Sequence, residues 1–417
     1  MNRIALPLGL AALLVSSSAS AVKVPTGTDD INLNVNVLLQ ARYEGTFEGS
    51  VEKSLDSDFF LRRARLQASG TAYKYISFLI QFDNSNMGKR NASAFTTYNG
   101  ATNSAFVQDL VIGWTPIEDI TIEGGLLLTP TSRILGYSAS GGQVQIEAPI
   151  DLIFQPVDRG FRQNGVEVRG FALGHRIHFR GGVWEGFHST AAAGAVPAIN
   201  PGGKPMIGGH VRLNLLGDET GYAFNAMYMD GKPRASIGGS IQYQPRSACV
   251  AAAAGNTCSI ASGTGATATV NDYKFFGGDG FIDLPVGPDM EFSADAGIFR
   301  WDYGDNPGAG GAGTVGFART GTGFAGSANF RVGAFAAYFS AYKFGSDASF
   351  PHTSDRRKIA GGLAWFIKGH ADKVTLEVNS ITPGTPGNPA AIAPVASASG
   401  LNAPSTAAVW LQGQAAF

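Results

Sequence analysis

Arg42, Arg63 and Arg65 are the residues whose type and spacing could do chemistry, and that chemistry is anion binding. A guanidinium stays charged at ordinary pH and offers forked donors that match a carboxylate or a phosphate. Arg63 and Arg65 stand two apart, so they share a face only if the chain is a strand there. The same two-residue spacing recurs in Arg176, His178 and Arg180, and again in His210 and Arg212. Arg133 falls in a long connection, 129–162, beside Tyr137, Glu147, Asp151, Asp158 and Arg159. Acidic residues are set apart from these arginines: Glu291 with Asp295, and Glu377, with Asp83, Asp109, Glu123 and Glu167 elsewhere.

The elements that must position these groups are strands with one apolar and one polar face. In Ile31–Glu44 the odd positions are Ile31, Leu33, Val35, Val37, Leu39, Ala41 and Tyr43. The even ones are polar or charged except Leu38, and Arg42 is among them. Such alternation also fits a half-buried strand of a soluble sandwich. A tilted membrane-crossing strand needs roughly 9–11 residues, and this run suffices. In 58–70 the apolar set is Phe60, Ala64, Leu66 and Ala68. Leu61, Arg63, Arg65, Gln67 and Ser69 form the other set, which leaves Arg62 out of phase and near an interface. Ile177, Phe179 and Val183 oppose Arg180, Val211 and Leu213 oppose Arg212, and Phe292, Ala294 and Ala296 oppose Glu291, Ser293 and Asp295.

Sixteen such segments are expected: 31–45, 58–70, 76–84, 104–114, 120–128, 163–171, 175–184, 206–214, 235–243, 272–284, 290–301, 323–332, 335–345, 356–367, 373–381 and 405–417. Their connections alternate between short turns and long stretches rich in Gly, Ala, Pro, Ser and Asn. Short turns at one end and long loops at the other are the habit of a bacterial transmembrane barrel. Gly221–Met229 has strand character but breaks the up-down parity, so it belongs to an extended connection at the short-turn end. No strong turn signal divides 323–345. The expected fold is therefore all-β: one transmembrane antiparallel barrel of about 16 strands over 22–417.

Met1–Ala21 has the pattern of a secretory signal: Arg3, an apolar stretch Ile4–Val15, and Ala19-Ser20-Ala21 as the cleavage site. Its loss leaves 30 basic against 32 acidic residues, a net charge of −2, which does not suit nucleic acid. Charged residues make up only 15%, as befits strands with a lipid-facing side, and 27 Phe with 12 Tyr exclude a disordered chain. Cys249 and Cys258 lie in an Ala/Gly/Thr-rich loop. In an oxidising compartment they are expected to form a disulfide, and with no nearby His they make a poor metal site. No cofactor is expected. The terminal alternation Thr406–Phe417, ending on an aromatic, resembles the assembly signal of bacterial outer-membrane barrels.

Several segments resemble the phosphate-selective porin O and P family. They are Phe59-Phe60-Leu61-Arg62-Arg63-Ala64-Arg65-Leu66 with Gly70-Thr71, Val107–Trp114, Ile122-Glu123-Gly124-Gly125-Leu126 with Pro130, and Asp158-Arg159-Gly160 with Gly165–Val168. Tyr228–Lys232 and Ile237–Tyr243 continue the series, and the similarity is sharpest between about 58 and 243. The resemblance implies a 16-stranded homotrimeric porin of the bacterial outer membrane. It further implies a third loop, 129–162, folded into the lumen, arginines at the constriction, and partners limited to membrane lipid and small hydrophilic or anionic solutes. On this basis the constriction set is Arg42, Arg63, Arg65, Arg133, Arg180 and Arg212, faced by an acidic wall of Glu291, Asp295 and Glu377. One departure is the balanced charge: phosphate-selecting members carry dense lumenal lysines. Gly/Ala-rich 323–345 and 405–417 are the candidate trimer walls.

Other patterns lack context. Gly321-Thr322-Gly323-Phe324-Ala325-Gly326 matches a dinucleotide fingerprint without a βαβ unit. His175 and His178 point to opposite faces of a strand, and Asn91-Ala92-Ser93 is an acceptor only in a eukaryotic secretory route. A barrel enzyme would need a nucleophile–base pair or a G-x-S-x-G elbow, and none is evident, so no residue is assigned a catalytic role. The remaining alternative is a structural or adhesive surface protein.

Overall fold

The structure, a computed structural model, describes residues 22–27, 30–48, 55–73, 75–89, 105–136, 140–147, 162–186, 204–250, 269–304, 320–347, 356–383 and 406–417. Segment 1–21, Cys258 with the side chain of Cys249, and Tyr137, Asp151, Asp158 and Arg159 lie outside them.

A short strand β1 (Val22–Val24) precedes sixteen longer ones: β2 (Ile31–Glu48), β3 (Leu55–Ala72), β4 (Ile76–Met87), β5 (Phe106–Ile117), β6 (Ile120–Leu128), β7 (Arg162–Ala172), β8 (Ile177–Trp184), β9 (Met206–Leu216), β10 (Arg234–Val250), β11 (Thr269–Gly287), β12 (Met290–Asp302), β13 (Gly321–Val332), β14 (Phe335–Ser346), β15 (Arg356–Lys368), β16 (Asp372–Pro383) and β17 (Thr406–Ala416). Each pairs antiparallel with the next, and β17 pairs with β2, so the sixteen strands close on themselves. Closure leaves no sheet edge. Phe417 exchanges backbone hydrogen bonds with Val37, and β1 continues that row by pairing Val22 with Val35. Among the described residues there is no helix.

Burial is inverted relative to a water-soluble protein. Val378 is 56% exposed while the adjacent Glu377 is 0%. Ile112, Val166, Val211, Ile241, Phe324, Phe339 and Leu363 are likewise exposed, whereas Gln81, Asp109, Glu167, Arg212 and Gln242 are buried. An outer surface of this kind is stable against hydrocarbon and not against water. The two-residue turn at 333–334 divides β13 from β14, with Gly333 at φ 57°, where a side chain would be strained.

Three sequence expectations are corrected by register and packing. A bulge interrupts the β2–β3 ladder: Gln40 pairs with Arg63, but Ala41 pairs with Leu61, so Arg62 has no partner position. The bulge shifts the alternation by one, and both Arg62 and Arg63 point inward. Below it the phase is reversed: Phe60 is buried inside and Phe59 is exposed. The second correction concerns the inner wall, which is not polar throughout. Phe275, Phe299, Trp301 and Phe344 are inward and pack with Leu127, Ile134 and Leu135. Phe299 and Trp301 extend the same phase that carries Glu291 and Asp295.

The third correction is the connection 217–233. It is a connection and not a strand, as its parity required, but it does not stay at the short-turn end: it enters the barrel. Arg180 Nη2 donates to Tyr222 O at 2.5 Å, Tyr228 N donates to Asp283 Oδ2 at 2.9 Å, and Met229 N donates to Glu291 Oε1 at 2.9 Å. Met227 O lies 2.6 Å from His370 Nε2, in the β15–β16 turn. From β8 to that turn is half the circumference of the barrel, so the segment is a strap across the lumen.

Candidate functional site

The interior register sets out the arginine face in rows. Lys373, Gln414, Gln40 and Arg63 are aligned across β16, β17, β2 and β3. The next row is Thr375, Gln412, Arg42 and Phe60, and the next Glu377, Trp410, Glu44 and Asp58. Within the rows the amides order the guanidiniums. Gln40 Nε2 donates to Gln414 Oε1 at 2.7 Å, Arg63 Nη1 to Gln40 Oε1 at 2.7 Å, and Arg42 Nε to Gln412 Oε1 at 3.0 Å. Arg42 also lies over the Trp410 ring, 5.1 Å from its centroid.

One carboxylate from the connection after β6 enters this face. Glu147 Oε1 accepts from Arg42 Nη2 at 2.5 Å and from Arg62 Nε at 2.6 Å, and Glu147 Oε2 accepts from Arg63 Nη2 at 2.8 Å. Glu44 joins Arg42 at 3.3 Å to Lys89 at 2.8 Å. Arg65 is turned to Asp83 at 3.0 Å and to the Ser140 hydroxyl. Lys373 holds the carbonyls of Gly141 and Gln143. Counted at formal charges, seven cations in this group (Arg42, Arg62, Arg63, Arg65, Lys89, Lys358, Lys373) meet five carboxylates (Glu44, Asp58, Asp83, Glu147, Glu377), a formal surplus of two positive charges.

Arg133, Arg180 and Arg212 are not part of that face. They belong to a second group around the strap. Arg133 Nε and Nη2 donate to Glu219 Oε1 at 3.0 and 2.8 Å, and Arg133 also reaches Asp295 at 3.8 Å. Its guanidinium stacks 3.3 Å from the Phe281 centroid. Arg212 binds Asp279 at 2.6 Å and lies 3.6 Å from Glu219. Arg180 lies 4.0 Å from Glu167 and 4.5 Å from the Tyr222 centroid. Glu219 also accepts from Tyr228 OH at 2.9 Å and Ser236 Oγ at 2.7 Å. Burial alone would raise its pKa, but Arg133 and Arg212 together with those hydrogen bonds hold the carboxyl at about 2.

The acidic residues divide in the same way. Glu291 accepts from Met229 N and Arg331, and Asp295 accepts from Ser327 and pairs with Arg133, both on β12. Glu377, by contrast, is on β16, separated from Arg42 only by β17. It binds Lys358 at 3.1 Å and Tyr338 OH at 2.8 Å. It is a member of the arginine side, not of a wall opposite it.

The two groups touch through backbone, where Ala226 N donates to Gly142 O at 2.9 Å. Residues 129–136 are anchored to the β10–β12 side, where Gln242 Nε2 donates to Pro130 O at 2.7 Å and Ser240 bonds Thr131 O. Residues 140–147 are anchored to the β16–β3 side. Arg62, Glu147, Glu219 and Lys373 were not singled out as a set by the sequence. Glu147 stood among the loop residues, but nothing local linked it to Arg62, because the bulge that turns Arg62 inward is a property of two strands.

No family model matches the chain, and no curated protein matches it. Solved structures do. The outer membrane channel DcaP of Acinetobacter baumannii is similar over 93% of this chain and 97% of its own, with TM-score 0.53 and 11% identity. OprB of Pseudomonas putida is similar over 92% and 94%, with TM-score 0.57 and 9% identity. An anion-selective porin from Comamonas acidovorans is similar over 93% and 100%, with TM-score 0.51 and 10% identity. At these identities the likeness is one of fold, that of outer-membrane porins, and it carries no solute.

Proposed function

We propose that this protein is a porin of the bacterial outer membrane, a channel for passive diffusion of small hydrophilic solutes and ions. The observation that carries this reading is the inverted barrel: an apolar outer belt around an interior lined by Arg42, Arg63, Arg65, Arg180 and Arg212 with their carboxylate partners. Conduction needs no reacting group. It needs a polar path and a narrowing that sorts by size and charge. In this reading the narrowing lies at the level where residues 140–147 meet the strap 217–233, which supports a third loop that constricts the lumen. The surplus positive charge on the arginine face favours anions, phosphate among them. Mature chains begin after Ala21 in this reading and assemble as homotrimers. The test is purified protein in a planar lipid bilayer with potassium chloride on both sides. Stepwise current with an anion-directed reversal potential in a salt gradient is expected. Folded protein that inserts without current would refute the channel.

A further inference from the structure

The carboxylate of Glu147 is held as a ligand is held. Two oxygens meet three guanidiniums, from Arg42, Arg62 and Arg63, at 2.5 to 2.8 Å. A pin for the connection would need one. Buried ion pairs are in any case weak stabilisers, because desolvation offsets attraction. The third guanidinium is present only because of the bulge, since strict alternation would have sent Arg62 to the outer face. Bulges that re-aim a side chain are over-represented beside functional sites. The groups behind the arginines are the amides of Gln412 and Gln40 and the Trp410 ring, with the Phe60 ring beside Lys89, so the surroundings suit a carboxylate attached to carbon as well as the anion itself.

We infer that Arg42, Arg62 and Arg63 form a binding site for the carboxylate group of organic solutes, and that Glu147 is a tethered occupant which such solutes displace. The inference rests on the channel reading and adds the solute class. A tethered competitor acts at an effective concentration in the millimolar range or above, so the solute sees a weakened site. Exchange of one carboxylate for another leaves the number of charge-assisted hydrogen bonds unchanged, which allows a solute to enter and leave. Removing the tethered charge also raises the surplus on this face from two to three.

The test is block of chloride current by acetate, benzoate and inorganic phosphate in wild type, Glu147→Gln and Glu147→Ala, each checked for barrel folding by heat-modifiable electrophoretic mobility. The half-blocking concentration of acetate and benzoate should fall by about tenfold or more in either folded variant. Adding Arg62→Ala to the variant should return it most of the way. Unchanged carboxylate block in a folded Glu147 variant overturns the inference. So does inorganic phosphate blocking the variant at lower concentration than both carboxylates, which would give the site to phosphate. Absence of chloride current in wild type is a separate result and refutes the channel instead.

Discussion

Replacing Glu219 with Gln should loosen the strap. Glu219 is 1% exposed and holds Arg133 at 2.8 Å, Tyr228 OH at 2.9 Å and Ser236 Oγ at 2.7 Å, with Arg212 at 3.6 Å. Removing one partner of a buried pair costs about 3–5 kcal/mol. Gln keeps an acceptor, and Arg212 keeps Asp279, so part of that loss is offset and about 2–3 kcal/mol remains. At 1.4 kcal/mol per tenfold, the displaced strap becomes roughly 30- to 140-fold more populated. In single-channel recordings this should appear as larger mean conductance and more frequent open excursions. Asp230→Asn is the control. The Asp230–Arg234 pair at 2.7 Å is 40% exposed on the Asp side, and such pairs contribute little. The pH dependence follows from the same carboxyl. Its pKa is depressed, so its stabilisation is complete above the ordinary carboxylate value near 4.5 and is lost as pH falls through about 2. Wild-type conductance should therefore show no strap release between pH 7 and pH 5. A folded Glu219→Gln protein with wild-type conductance and open frequency would show that the strap does not limit the path.

The other expectations are direct. Arg63→Ala with Arg65→Ala should move the reversal potential in a salt gradient toward cations, and an unchanged potential would make these arginines ordinary wall residues. Arg62→Ala should now act in the same direction, because its guanidinium reaches Glu147 at 2.6 Å instead of facing lipid; no effect would sink that assignment. Gentle detergent extraction should give a trimeric mass by light scattering, and a monomer would count against trimer assembly. Cys249 and Cys258 should resist thiol labelling until reduced; labelling of both without reductant would exclude the bridge.

The strands were legible in the sequence because alternation is a local property. Side chains at i and i+2 share a face whatever lies beside them, so Ile31–Glu48 and Met290–Asp302 could be placed to within a few residues from polarity alone. The inward direction of Arg42, Arg63, Arg65, Arg180 and Arg212 followed from the same rule. Even the β13–β14 turn, which lacked a strong turn signal, lay where the expected strand ends required it. Other features depended on relations between distant residues. The bulge beside Arg62 exists only in the pairing of β2 with β3, and one skipped position reverses every side chain below it. The strap has the composition of an ordinary connection; its path across the lumen is set by Glu219 meeting Arg133 and by Met227 O meeting His370. Glu147 and Arg62 are 85 residues apart, and only the entry of residues 140–147 into the barrel brings their charges together, since a buried carboxylate must find its cations wherever the fold has placed them.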